Sequence, residues 1–231
     1  MNSTKKAARV AGLLYLVASI FGVFSLVYIP SLFPASGDAT ATANKIRTSE
    51  FLFRGGIVGN LVGTTIFIFV ALALYRLLKG VNKKHALWML ILILLSVPIS
   101  FLNELNQIAA LKLASGADFL SAFDQPQRDA LVMAFLNFHN SGYLLAEVFW
   151  GLWLFPFGAL VYRSGFLPRI LGVLLMPAGC AYVAVVFTAL LFPAYRHPVG
   201  RVAEVLQFGE LPIIFWLLIM GAKDQPLEDL A

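Results

Sequence analysis

Six stretches of this 231-residue chain are each long and apolar enough to cross a lipid bilayer, and no other feature restricts its fold as much. They run from Val10 to Phe33, Phe51 to Leu78, Leu87 to Leu113, Arg128 to Tyr162, Ile170 to Phe192 and Val202 to Met220. A hydrocarbon core about 30 Å thick takes roughly 20 helical residues at about 1.5 Å rise each. Lipid offers no hydrogen-bond partner to an open backbone, and these runs are too long and too evenly apolar for the strands of a closed barrel. The expected fold is an all-α integral membrane bundle of six transmembrane helices, forming one domain over residues 1–231. Composition points the same way, because 60% of the residues are hydrophobic and 13% charged, against roughly half and a quarter in soluble domains.

The arrangement of Lys and Arg sets the expected orientation. Ten of the 17 fall on the side of the N-terminus: Lys5, Lys6, Arg9, Arg76, Lys79, Lys83, Lys84, Arg163, Arg169 and Lys223. Lys45, Arg47, Arg54, Lys112, Arg128, Arg196 and Arg201 fall on or near the other side. The excess places both termini in the cytoplasm. The net charge of +5 follows from these basic loops and does not call for nucleic acid. Lys5, Lys6 and Arg9 before an apolar stretch also resemble a secretory signal with Ala39-Thr40-Ala41 as its cleavage site. The apolar core from Val10 to Ile29 exceeds the roughly 7 to 15 residues of a signal h-region, so a retained span is the preferred reading. Two outer segments, Pro34 to Glu50 with Ala39, Ala43 and Ile46, and Gly116 to Gln127 with Phe119, Leu120 and Phe123, fit short interfacial helices or ordinary loops equally well.

Gly55, Gly59 and Gly63 recur every four residues and mark a stripe where a neighbouring backbone can approach. Contact within the same bundle is favoured, with a homodimer seam or a partner subunit as the alternative. Pro98, Pro156, Pro177 and Pro212 each fall within a predicted span and leave the carbonyls of Leu94, Leu152, Val173 and Phe208 without their helical donor. Kinks are expected in the last four helices.

Several phrases resemble a known bacterial family. They are Arg9-Val10-Ala11-Gly12-Leu13-Leu14-Tyr15-Leu16, Phe53-Arg54-Gly55-Gly56, Phe138-His139, the inner loop Arg163-Ser164-Gly165-Phe166-Leu167-Pro168-Arg169-Ile170-Leu171-Gly172 and the closing Phe215-Trp216-Leu217-Leu218-Ile219-Met220-Gly221. Together they resemble the domain-of-unknown-function 4386 family over nearly the whole chain. The resemblance implies a multi-pass protein of the bacterial cytoplasmic (inner) membrane and carries no activity or functional residue. Physically, Gly165 suits a tight turn, Pro168 a helix start and Arg163 and Arg169 the anionic headgroups. A structural hairpin is favoured over a headgroup or phosphate site.

Polar residues inside the spans are the main pointer to function, since ionisable groups at membrane depth are costly. Counting about 1.5 Å per residue from the inner helix ends puts Ser25, Asn60, Glu147 and Gln207 at about 24 Å and Glu104 at about 25 Å. Asn103, Asn106, Gln107, Asn137, His139, Asn140, Arg54, Glu50, Arg201 and Glu204 come above this level as an outward mouth, and Glu210 lies one turn deeper as a floor. Arg54 is the natural counter-charge for a carboxylate. His139, Tyr143 and Glu147, four residues apart, are expected to form a ladder on one flank of the fourth helix. A carboxylate at this depth is either protonated or paired, and both states serve proton relay or ligand binding.

The enzyme inventory is thin. The chain has no His-x-x-x-His or Cys-x-x-Cys spacing, no nucleophile elbow, no Walker motif and no dinucleotide fingerprint. No metal or cofactor is expected. The leading expectation is a non-enzymatic protein whose outward polar cavity binds or passes a small amphiphile or lipid headgroup. The alternatives are an intramembrane hydrolase or transferase using His139, Glu147 and Glu104 at the outer leaflet, and a scaffold or accessory subunit.

Overall fold

The computed structural model describes residues 3–117 and 120–223. Among them there is no strand, and the chain is all-α. Six helical segments are long and apolar enough to cross a membrane: Thr4–Leu32, Glu50–Leu78, Lys83–Ser115, Gln125–Arg163, Arg169–Leu191 and Pro193–Ile219. They make this a multi-pass membrane protein, and each overlaps one of the runs read from the sequence.

Three of these segments change their winding at or near a proline. The first comprises α1 (Ser3–Gly22), a π-helical stretch (Val23–Tyr28) and α2 (Ile29–Leu32). The Ile29 amide bonds the Phe24 carbonyl five residues back, and Pro30, which has no amide, sits in the first turn of α2. The fourth segment is interrupted at Trp153, between α6 (Gln125–Leu152) and α7 (Leu154–Arg163). Pro156 cannot serve the Leu152 carbonyl. The sixth consists of a 3₁₀ turn (Pro193–Tyr195), α9 (Arg196–Gln207), a second 3₁₀ turn (Phe208–Glu210) and α10 (Leu211–Ile219), with Pro212 in the first turn of α10. In contrast, α5 (Lys83–Ser115) and α8 (Arg169–Leu191) run through Pro98 and Pro177 without a break.

The chain divides into two compact units. The first comprises Met1–Val17, Ile66–Val97 and Leu145–Ala231. Its core holds an aromatic cluster in which Phe67 stands edge-on to both Tyr15 and Trp153, at 5.5 and 5.6 Å, while Trp153 stacks on Phe157 at 5.1 Å. Small residues set the helix contacts of this unit. A Cβ on Gly158 would lie 2.7 Å from the Gly172 carbonyl oxygen, and one on Gly151 would lie 2.8 Å from that of Gly179, so α7 and the end of α6 lie backbone to backbone with α8. Gly12 meets the Leu217–Leu218 backbone in the same way, and beside it Arg9 Nη2 donates to the Ile219 carbonyl at the end of α10.

The hairpin between α7 and α8 has a structural explanation. Gly165 takes φ +71°, a left-handed turn that side chains disfavour. The Ser164 hydroxyl accepts from the Leu167 amide, and Pro168 is the N-cap residue of α8. The Lys223 amide donates to the Phe166 carbonyl. Arg169 lies 5.6 Å over the Tyr162 ring.

The second unit comprises Ala18–Thr65 and Pro98–Leu144. Its apolar core includes Ile29, Ile46, Phe53, Ala110, Val132 and Leu136. The Pro34 to Glu50 segment contains a helix, α3 (Ala39–Thr48), capped by the Asp38 carboxylate on the Thr40 and Ala41 amides, with Ala43 and Ile46 buried. Helix α6 starts three residues before the expected Arg128. Asp124 and Gln127 bond each other's backbone amides at 3.0 and 2.9 Å, a reciprocal cap with Pro126 in the first turn. Phe119 lies outside the described residues.

The glycine stripe on α4 (Glu50–Leu78) is filled from within this unit, with one shift of position. A Cβ on Gly59 would fall 2.7 Å from Ser25 Oγ, one on Gly63 2.9 Å from the Phe21 Cβ, and one on Gly56 2.8 Å from the Ile29 side chain. Gly55 has nothing within 4 Å. The close-packed set is therefore Gly56, Gly59 and Gly63, because successive contacts on a helix alternate between three and four residues.

Candidate functional site

The second unit gathers polar side chains from α4, α5 and α6 around one carboxylate. Glu104 is 1% exposed, His139 3% and Gln107 4%. Glu104 Oε1 accepts from Asn60 Nδ2 at 2.6 Å and from the Tyr143 hydroxyl at 3.0 Å, and lies 3.1 Å from His139 Nε2. Tyr143 and His139 sit one turn apart on α6, their rings perpendicular with centroids 4.7 Å apart. Gln107, one turn beyond Glu104 on α5, directs Nε2 at the imidazole, 3.1 Å from its Nε2 and 3.3 Å from its Nδ1. With the ring proton assigned to Nε2, that nitrogen donates to Glu104 and Nδ1 accepts from the Gln107 amide.

Further bonds hold the frame. Asn103 Nδ2 donates to the His139 carbonyl at 2.8 Å, and its Oδ1 accepts from Asn106 at 3.1 Å. The Asn103 amide occupies the space a side chain at position 142 would need, so Gly142 lets this bond form. Among the described residues of the unit, three buried side-chain atoms have no partner among the protein's own groups: Glu104 Oε2, Gln107 Oε1 and Ser25 Oγ. A small crevice lined by Ile29, Pro30, Phe33, Phe53, Gln107 and His139, among others, offers about 10 Å³ of free volume, room for about one water molecule. Asn140 also lines it and is exposed.

The basic residues of the unit are engaged elsewhere. Arg54 pairs with Glu50 at 2.6 Å, with 58% of its side chain exposed. Its expected carboxylate partner at depth is replaced by this residue one helical turn away, which needs no buried charge. Arg47 Nη1 holds Asp129 Oδ1 at 2.9 Å, with Asp129 1% and Arg47 25% exposed. Arg47 also bonds Asn44 and the Ala114 carbonyl. Arg128 bonds the Phe123 carbonyl, and Lys45 and Lys112 are exposed. Asp129 and the Arg47 pair were not singled out in the sequence, where Asp129 stands just inside the predicted start of the fourth span.

The other expected site residues fall in the first unit. Glu210, at the end of the 3₁₀ turn, accepts from the Tyr15 hydroxyl through Oε2 at 2.6 Å and from Tyr182. Glu147 is half-buried, its Oε2 has no protein partner, and Arg196 is the cation acting on it. Glu204 is exposed and Gln207 half-buried on α9. Thus Asn60, Asn103, Glu104, Gln107, His139 and Tyr143 meet, whereas Glu147, Glu204, Gln207 and Glu210 belong to the other unit. The upper rungs of the expected ladder, His139 and Tyr143, lead to Glu104. Among the described residues no three His, Cys, Asp or Glu side chains converge to hold a metal ion.

A family model described as Domain of unknown function (DUF4386) matches residues 10–221. An uncharacterised protein of Archaeoglobus fulgidus is 32% identical over 167 residues, covering 72% of this chain and 84% of the relative. No solved structure matches the chain. The matched region takes in Val10 to Leu16 of the opening phrase, the Gly165 hairpin and the Glu104 cluster together, and the chain belongs to the DUF4386 family.

Proposed function

We propose that this protein resides in a cytoplasmic membrane, with both termini and the Lys79 to Lys84 and Arg163 to Arg169 loops inside, and that its Glu104 cluster binds the polar end of a small amphiphile or lipid headgroup. The charge distribution supports the orientation. One observation carries the binding reading: Glu104 has three groups on Oε1 and no protein partner for Oε2. A carboxylate that only tied helices together would have both oxygens satisfied, because an unmet buried acceptor costs about 1–3 kcal/mol. Here the three groups converge on one oxygen and leave the second, buried, without a partner.

The test is native mass spectrometry of the protein released from its own membranes. A co-purifying amphiphile is expected on the unaltered chain and depleted on Glu104→Gln. Equal occupancy of both, or none on either, would remove this reading. The Glu104–His139 contact favours a second reading, an intramembrane hydrolase or transferase with His139 as base. The imidazole is met by Gln107 and Glu104 and not by a serine, threonine or cysteine that it would activate.

A further inference from the structure

From the Glu104 cluster we infer the chemical class of its ligand: a primary ammonium carried on an alkyl chain. This rests on reading the cluster as a binding site. The unmet atoms nearest one another in sequence, Glu104 Oε2 and Gln107 Oε1, are both acceptors and lie one turn apart on α5, where side chains three residues apart are neighbours. They complement a donor and repel a phosphate or carboxylate. No lysine or arginine of the unit is directed at Glu104: Arg54 pairs with Glu50, Arg47 with Asp129, Arg128 bonds a backbone carbonyl, and Lys45 and Lys112 are exposed. With His139 Nδ1 accepting from Gln107 the imidazole is neutral, so the cluster holds no cation among the described residues of the unit, and a cationic donor would supply one.

Size narrows the class further. The crevice is lined by Gln107 and His139, with Glu104 bonded to the imidazole but not itself on the wall, and it has room for a group about as large as one water. An ammonium head fits that limit and brings three N–H donors, while a trimethylammonium head brings none and is several times larger. Ile29, Pro30, Phe33, Phe53 and Leu136 also line this crevice, whose single-water volume the head would fill, so the alkyl stem lies outside it.

The experiment measures binding of octylamine, octyltrimethylammonium, octanol and octyl phosphate to the full chain in maltoside micelles at neutral pH, by calorimetry and by the shift in Tm. Octylamine is expected to bind and to raise Tm. Octyltrimethylammonium should bind about a hundredfold more weakly, since a site of acceptors that await N–H donors rejects a head that lacks them. Gln107→Met, which keeps the volume, should weaken octylamine about tenfold or more through the loss of one acceptor. Glu104→Gln should abolish the preference for amine over alcohol, and Glu50→Gln on the surface should leave it intact. If Glu104→Gln does not fold, the headgroup series on the unaltered chain and Gln107→Met decide the question. Binding that depends on Gln107 or Glu104 but prefers the phosphate, the alcohol or the trimethylammonium would overturn the ammonium class and leave the site standing. No binding by any probe, or binding indifferent to both residues, would overturn both.

Discussion

Removing the two members of the Arg47–Asp129 pair one at a time should give unequal losses of stability. At 2.9 Å the Coulomb attraction is about 1.4 kcal/mol with the dielectric of water and about 5.7 kcal/mol at an effective value near 20. The pair lies between these limits, because the carboxylate is 1% exposed and the guanidinium 25%. Arg47→Met strands a buried carboxylate and also frees Asn44 and the Ala114 carbonyl, so we expect a loss of about 3–4 kcal/mol. Asp129→Asn leaves an arginine that already touches solvent and keeps an acceptor in place, for a loss of about 1–2 kcal/mol. The double variant should lose less than the two singles combined, by about 1 kcal/mol or more. Reversible unfolding in mixed SDS and maltoside micelles reads all three. Equal single losses, or a strictly additive double, would refute the reasoning from burial.

Three further outcomes are expected. Gly59→Leu should lower Tm strongly because its side chain would enter Ser25 and Phe24, whereas Gly55→Leu, with nothing within 4 Å, should be tolerated; similar Tm values would place the stripe elsewhere. Single cysteines at Asn82 and Gly37 should label from opposite sides of intact cells, and labelling of both from outside would reverse the orientation argument. Tyr15→Phe should cost about 1–3 kcal/mol by leaving Glu210 Oε2 without this donor; an unchanged unfolding midpoint would show that Tyr182 suffices.

The spans were legible because lipid imposes length and apolarity on every one of them, and the breaks at Trp153 and before Pro212 follow from prolines visible in the sequence. The relative level of two helices was legible too: counting residues put Asn60 and Glu104 side by side, and they are hydrogen-bonded at 2.6 Å. Rotation about the helix axes was not. Faces turned to lipid and faces turned to other helices are both apolar, so no moment marks which is which. That is why the expected ladder ran from His139 and Tyr143 to Glu147 rather than to Glu104, and why Gly55 stood in the stripe in place of Gly56. Two local signals were readable and passed over: Asp124 and Gln127 have the spacing of a reciprocal cap, and Glu50 and Arg54 that of an ion pair one turn apart.

The π-helical stretch at Val23–Tyr28 divides the first span into two phases. One extra residue in a helical turn rotates everything beyond it by about 100° relative to an uninterrupted α-helix. Ser25 within the stretch and Ile29 just after it are buried, while Val23, Val27 and Tyr28 are exposed. Deleting a single residue there would let the segment wind as ordinary α-helix, yet it would swing Ile29 and Phe33 out of the second unit's core. Substitutions in this segment should therefore be judged against two separate helical wheels, and length changes of one residue should be far less acceptable than changes of side chain.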